Sequence, residues 1–283
     1  MINIDAASVL LQWATGGLIF LWVTTRHRQV GLGYGWLLRG TYALMAIGAL
    51  LLGRRFNPLL VRDLASIGVA LAATVALVQS VVRKQAGVSN QRALAESRSA
   101  TVAAMTGIER QAKDKAAEGP EFDPRLDLVA PAIGMVGVVV AAFAAGGPGW
   151  LAVARFVTGT IFLGAVSDAM LLGHWYLVQP GLSRQPISEL VRWTGISWFP
   201  EVALLLIPTG MISVLNGTID DGWDGLLGWF WLASAVTTIA LVGVTVAALR
   251  EKQYSAVMAA TGLLYLAILT AFGTDLVARA LLA

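Results

Sequence analysis

Ser167-Asp168-Ala169-Met170-Leu171-Leu172-Gly173-His174-Trp175-Tyr176 closes an apolar run that begins at Trp150 and ends at Val178. That run is longer than the roughly 20 residues a helix needs to cross about 30 Å of hydrocarbon. It reads as a membrane-spanning helix, and it holds an acid and one of the chain's 2 histidines. Ionisable groups in hydrocarbon cost several kcal/mol unless paired or hydrated, so Asp168 and His174 are candidates for function.

Seven further runs flank this one: Ala7–Thr24, Gly35–Leu52, Leu64–Val82, Leu128–Ala145, Val191–Leu215, Leu226–Leu249 and Ser255–Leu281. Each is long enough to span a bilayer at about 1.5 Å per residue. The composition agrees, being 57% hydrophobic and 13% charged, where a soluble domain carries about 25% charged residues. The mean hydropathy is +0.72. No series of short alternating strands is present, which argues against a β-barrel. The expected fold is an all-α, polytopic integral membrane protein, about eight transmembrane helices in a bundle. It divides into helices one to three (1–83), a polar helical excursion (84–127) and helices four to eight (128–283). Gly134, Gly137 and the alanines up to Ala145 should let the fourth helix pack closely.

Charge sets the expected orientation. Arg26, Arg28, Arg39, the eight basic residues from Arg83 to Arg125, Arg184, Arg192, Arg250 and Lys252 fall on one side. Asp220, Asp221 and Asp224 fall on the other. The positive-inside rule then puts both termini outside a cell membrane. Asp5 ahead of the first run, and Arg26 and Arg28 after it, fit an uncleaved first helix. Arg54, Arg55 and Arg62 dissent from this pattern. Either they bind lipid or protein acids, or the second and third spans are misplaced. The net charge of +3 reflects membrane topology rather than nucleic-acid binding.

Three groups of residues carry candidate chemistry. Asp168 and Glu201 each lie about 15 Å into consecutive spans, counted from the same side. Consecutive antiparallel helices usually adjoin, so the two acids are expected at one depth, sharing a cavity as a proton relay. The sixth span supports a cavity wall, with breaks at Trp198-Phe199-Pro200-Glu201 and Ile207-Pro208-Thr209-Gly210. Proline in a spanning helix frees a carbonyl that a hydroxyl such as Ser197, Thr209 or Ser213 would satisfy. The second group is His174, Trp175 and Tyr176. They are placed to hydrogen-bond a quinone headgroup, to ligate haem, or to pass protons to Asp168. The third is Asp275 and Arg279, four apart on the last span and able to pair, with Arg155 near them.

The absence of cysteine excludes disulfides and thiolate metal or iron–sulfur sites within the chain. No phosphate loop, dinucleotide turn or HExxH zinc motif is present. Two functional expectations follow. The first is an accessory or anchoring membrane subunit of a respiratory or other redox complex. It would contact quinone or haem at His174, Trp175 and Tyr176 and dock partner subunits through 84–127. The alternative is a proton-coupled transporter of a small solute that uses Asp168 and Glu201.

Overall fold

The computed structural model describes residues 2–90, 92–93, 96–97, 100, 119–179, 182–207 and 210–282. They form α1 (Ala6–Thr25), α2 (Leu32–Phe56), α3 (Leu60–Val82), α4 (Val129–Ala144), α5 (Gly149–Val178), α6 (Gln185–Leu206), α7 (Met211–Leu215), α8 (Leu226–Arg250) and α9 (Tyr254–Leu281). No strand occurs among the described residues. Seven elements are long and apolar enough to cross a membrane. The eighth crossing is α6, which carries Glu189, Arg192 and Glu201 and stops at Leu206. The chain is a polytopic helical membrane protein. Residues 101–118 of the expected excursion, and Pro208 and Thr209, lie outside the described residues.

The bundle has two halves joined at one seam. α1 packs with α2 and α4, and α3 with α2 and α4; α5 packs with α6 and α9, and α8 with α6 and α9. The halves meet chiefly where α1 packs on α5, and these are the two most enclosed helices. Their backbones touch because both carry glycine at the crossing. A Cβ on Gly16 would fall on the Thr160 carbonyl, and one on Gly164 would fall on the Gly16 backbone. Close approach of this kind drives helix association in lipid, where no hydrophobic force pulls helices together. Gly134 and Gly137 of α4 likewise face Thr15 and Leu11 of α1.

Each face of the bundle is tied by ion pairs. On the face that holds Asp5, Arg62 is 1% exposed and reaches Asp5 at 2.6 Å and Asp63 at 3.1 Å. It also donates to the Asn57 carbonyl at 2.5 Å. Of the dissenting residues, Arg62 is therefore explained by protein acids, while Arg54 and Arg55 are exposed; the second and third spans stand. Asp5 also caps α1 by accepting from the Ser8 N–H at 2.7 Å. Burial works against its charge, but the hydrogen bonds from Ser8 and Asn57 and the Arg62 guanidinium outweigh it, so its pKa is lowered. On the same face, Asp221 accepts from the backbone N–H groups of Trp223, Gly225, Leu227 and Gly228. This satisfies the first turn of α8, which no side chain caps at Gly225.

On the face that holds Asp127, a buried pair closes the mouth between α1, α2 and α4. Arg39 donates Nε to Asp127 Oδ1 at 2.7 Å and Nη2 to Oδ2 at 2.8 Å. Thr25 donates to the same carboxylate at 3.0 Å. Phe122 lies 4.4 Å from the Arg39 guanidinium, as measured to the ring centroid. Glu121 collects Arg28 and Arg92, each at 2.8 Å, and Ser89 at 3.2 Å. Across the face, Arg184 donates to the carbonyls of Leu249, Glu251, Lys252 and Gln253 and so finishes α8.

Two outcomes test this account. Asp127→Asn should cost about 3–5 kcal/mol in thermal unfolding of the detergent-purified protein, because it strands a buried guanidinium. Arg39→Leu with Asp127→Leu should recover most of that loss, and equal losses in the single and double variants would contradict it. Asp5→Ala should cost about 1 kcal/mol at neutral pH. A lowered folded pKa means that Asp5's contribution is complete above the unfolded value and is lost as pH falls through the folded one. The difference in melting temperature from wild type should therefore close on acidification below the usual 3.8.

Candidate functional site

α6 positions Glu201, and the break after it explains what gathers there. The helix continues through Pro200 and ends at Leu206. Ser197 bonds back to the carbonyls of Trp193 at 2.8 Å and Thr194 at 3.2 Å, one turn before Pro200. At the end of α6, Arg155 of α5 donates Nε to the Leu204 carbonyl and Nη2 to the Ile207 carbonyl, each at 3.0 Å. A cation at a helix C-terminus complements both the orphan carbonyls and the dipole.

Around Glu201 the helices bring together a compact charged cluster. Thr158 of α5 donates to Glu201 Oε2 at 2.5 Å. Arg279 of α9 lies 3.7 Å from Glu201 Oε1 and donates Nε to Asp275 Oδ1 at 2.7 Å. Its Nη2 donates to the Arg155 carbonyl at 3.2 Å. Glu201 and Asp275 thus share the one Arg279 guanidinium. The expected pairing of Asp275 with Arg279 is present and Glu201 completes it, while Arg155 joins through its backbone carbonyl and directs its guanidinium to the end of α6. Glu201 Oε1 and Asp275 Oδ2 are buried without a hydrogen-bond donor.

Asp168 stands elsewhere, so the expected shared cavity is corrected. Thr158, which holds Glu201, precedes Asp168 by ten residues on α5, or about 15 Å. The reason is the start of α6. It begins at Gln185 and not near Val191, which sets Glu201 about 24 Å into its helix. Asp168 turns instead toward α2. The Tyr42 hydroxyl donates to its Oδ1, and the Tyr34 hydroxyl donates to its backbone carbonyl at 3.4 Å. Its Oδ2 is buried and has no donor.

His174, Trp175 and Tyr176 do not converge. Successive helical residues are rotated by about 100°, and these three face three surroundings. His174 is exposed and shares a 2.9 Å hydrogen bond with Tyr265 of α9. Trp175 packs on Tyr34 with ring centroids 6.0 Å apart and donates to Gln179 at 2.9 Å. Tyr176 is buried and donates to the Ser183 carbonyl. His27, the other candidate haem ligand, lies beside Arg26 and Glu189.

Comparison with protein-family models, with curated proteins and with solved structures finds no match.

Tyr42, Tyr34, Thr158, Asp127 and the role of Asp275 toward Glu201 were not anticipated. Only Asp127 left a sequence signal, an acid at the edge of an apolar run matching Arg39 at the edge of another. Tyr42→Phe should lower stability by about 1–3 kcal/mol, because it removes the hydroxyl donor to a wholly buried carboxyl. Asp168→Leu in the Tyr42→Phe background should recover part of the loss. An unchanged melting temperature in the single variant would show that the bond contributes nothing.

Proposed function

We propose that the chain is a proton-coupled transporter of a small solute, with the proton held by Glu201 and Asp275 beside Arg279. One observation carries this reading: two buried carboxyls, from α6 and α9, share the Arg279 guanidinium, and each keeps a buried oxygen without a hydrogen-bond donor. Carboxyls this close do not both ionise cheaply, so the pair is suited to take up and release one proton. Asp168, bonded to Tyr42, is a second intramembrane acid about 15 Å along α5. A redox-subunit role at His174 draws less support, because His174, Trp175 and Tyr176 present no common face to a cofactor.

The test is proton movement in liposomes that hold the purified protein and a trapped pH-sensitive dye, challenged with a panel of small solutes under a proton gradient. Wild type should show solute-dependent proton entry. Glu201→Gln should insert normally and fall to the level of empty liposomes. Full solute-dependent proton entry in Glu201→Gln would overturn the proposal. Asp168→Asn separates the two acids, since retained flux would remove Asp168 from the proton path.

A further inference from the structure

The two halves of the bundle are joined differently on its two faces. The chain passes between them once, at residues 145–148 on the Asp5 face, where Gly146 and Gly147 both adopt positive φ. On the Asp127 face no peptide link joins them, and a latch of side chains does so instead. Residues 26–31, between α1 and α2, grip the link from α5 to α6. Glu189 pairs with Arg26, and His27 Nε2 lies 3.5 Å from its other oxygen. Gln29 donates to Gln185 at 3.4 Å and accepts from Ser183 at 2.5 Å. The Gly31 N–H donates to Gln179 at 3.2 Å. Arg26 and Glu189 are partly exposed, at 34% and 23%, so water competes for their bond and it contributes little to stability.

Beneath the latch, α2 meets α5 through side chains. Among the described residues α2 packs closely only on α1 and α3. The space to α5 is filled in layers. Trp175 donates to Gln179 and packs on Tyr34, and Tyr34 and Tyr42 both donate to Asp168. Tyr34, Leu38, Tyr42, Asp168 and Leu172 are each 1% exposed or less. The layers end on Asp168 Oδ2, which has no hydrogen-bond partner. Water arriving down this seam would satisfy that oxygen, which the packed seam leaves unmet. The Gly16–Gly164 crossing lies near the middle of α1 and α5, where bare backbones in contact form a fulcrum. Two glycines in the link between the halves can absorb the change of φ and ψ that a tilt requires.

We infer that the seam between α2 and α5 opens on the Asp127 face: the latch around Gln29 and Glu189 releases, the halves tilt about the Gly16–Gly164 crossing, and water from that face reaches Asp168. The Asp5 face is the hinged side, since it holds the chain link and the Asn3 N–H donates to the Ala145 carbonyl at 2.9 Å. Tyr34 and Tyr42 stay with the first half and Asp168 with the second, so opening parts the acid from its two hydroxyl donors and water replaces them. This motion supplies the access step of the carrier and rests on that reading for its use, because a carrier exposes its site by rocking one bundle against another.

The test measures opening, not transport. The chain has no cysteine, so introduced thiols report alone. Leu38→Cys, on the α2 face between Tyr34 and Tyr42, is combined in one chain with Ala271→Cys, buried on α9 away from the seam. The detergent-purified protein is exposed to a sulfonated maleimide, and labelling at each position is followed by mass spectrometry of its peptides. Position 38 should react about tenfold faster than position 271, because a local opening costs less than unfolding of the bundle. Glu189→Ala should speed labelling at position 38 about two- to fivefold and leave position 271 unchanged. Ile4→Ala, on the Asp5 face, should leave position 38 unchanged. Leu172→Cys, one turn beyond Asp168 on α5, reads the opposite wall and should behave as Leu38→Cys does. Labelling at positions 38 and 172 no faster than at 271, no response to Glu189→Ala, or an equal response to Ile4→Ala would each overturn the inference. Opening without solute-dependent proton flux would leave it standing while the carrier reading fails. Flux through a protein whose positions 38 and 172 stay unlabelled would do the reverse.

Discussion

The contact between α1 and α5 at Gly16 and Gly164 is the constraint on which the other helices depend. In lipid, association rests on how closely backbones approach, and two glycines at one crossing remove the side chains that would hold these rods apart. α2 and α4 then pack on α1, and α6 and α9 on α5. Side-chain hydrogen bonds reinforce the seam. Gln12 donates to the Phe156 carbonyl at 2.9 Å, and Trp13 donates to Ser167 at 2.8 Å. The seam also sorts the buried acids. Asp168 looks across it to Tyr42 in the first half, and Glu201 is enclosed by the second.

The four interior arginines are answered in three ways. Arg62 and Arg39 meet carboxylates from other helices or loops, Arg155 takes the carbonyls at the end of α6, and Arg279 meets an acid one turn away on its own helix. The first three close gaps between elements, and this accounts for their burial without any appeal to chemistry. The Arg279 cluster differs because two wholly buried acids from separate helices converge on one guanidinium and each keeps an oxygen without a donor, where the Arg62 cluster has one such oxygen, on Asp63. That convergence is why it stands apart as the candidate site.

Much of the fold was legible because its physics is local. Uninterrupted apolar runs must become helices in lipid, and all eight crossings fall close to the runs that announced them. The pairing of Asp275 with Arg279 was legible for the same reason, since four residues make one helical turn. What the sequence concealed depends on chain-distant neighbours. Tyr42 and Asp168 are 126 residues apart. The depth of Glu201 was misjudged because polar Gln185, Glu189 and Arg192 belong to α6 and were counted outside it. His174, Trp175 and Tyr176 looked like one cluster because they are adjacent in the chain, although adjacency in a helix sends side chains apart.

The ties around Glu121 bear on how the polar segment can be handled by the cell or by an experimenter. The chain leaves α3 past Arg83, Ser89 and Arg92 and returns through Glu121 and Phe122, and Arg83 donates to the Glu121 carbonyl at 3.2 Å. Exit and return are therefore clasped at one point. A loop whose ends are already joined adds little entropy of closure as it lengthens, roughly 0.6 kcal/mol per doubling. With its ends held by the clasp, the connection can be lengthened by an inserted fluorescent domain or affinity tag at little added cost of closure, and the ends of α3 and α4 keep their anchor.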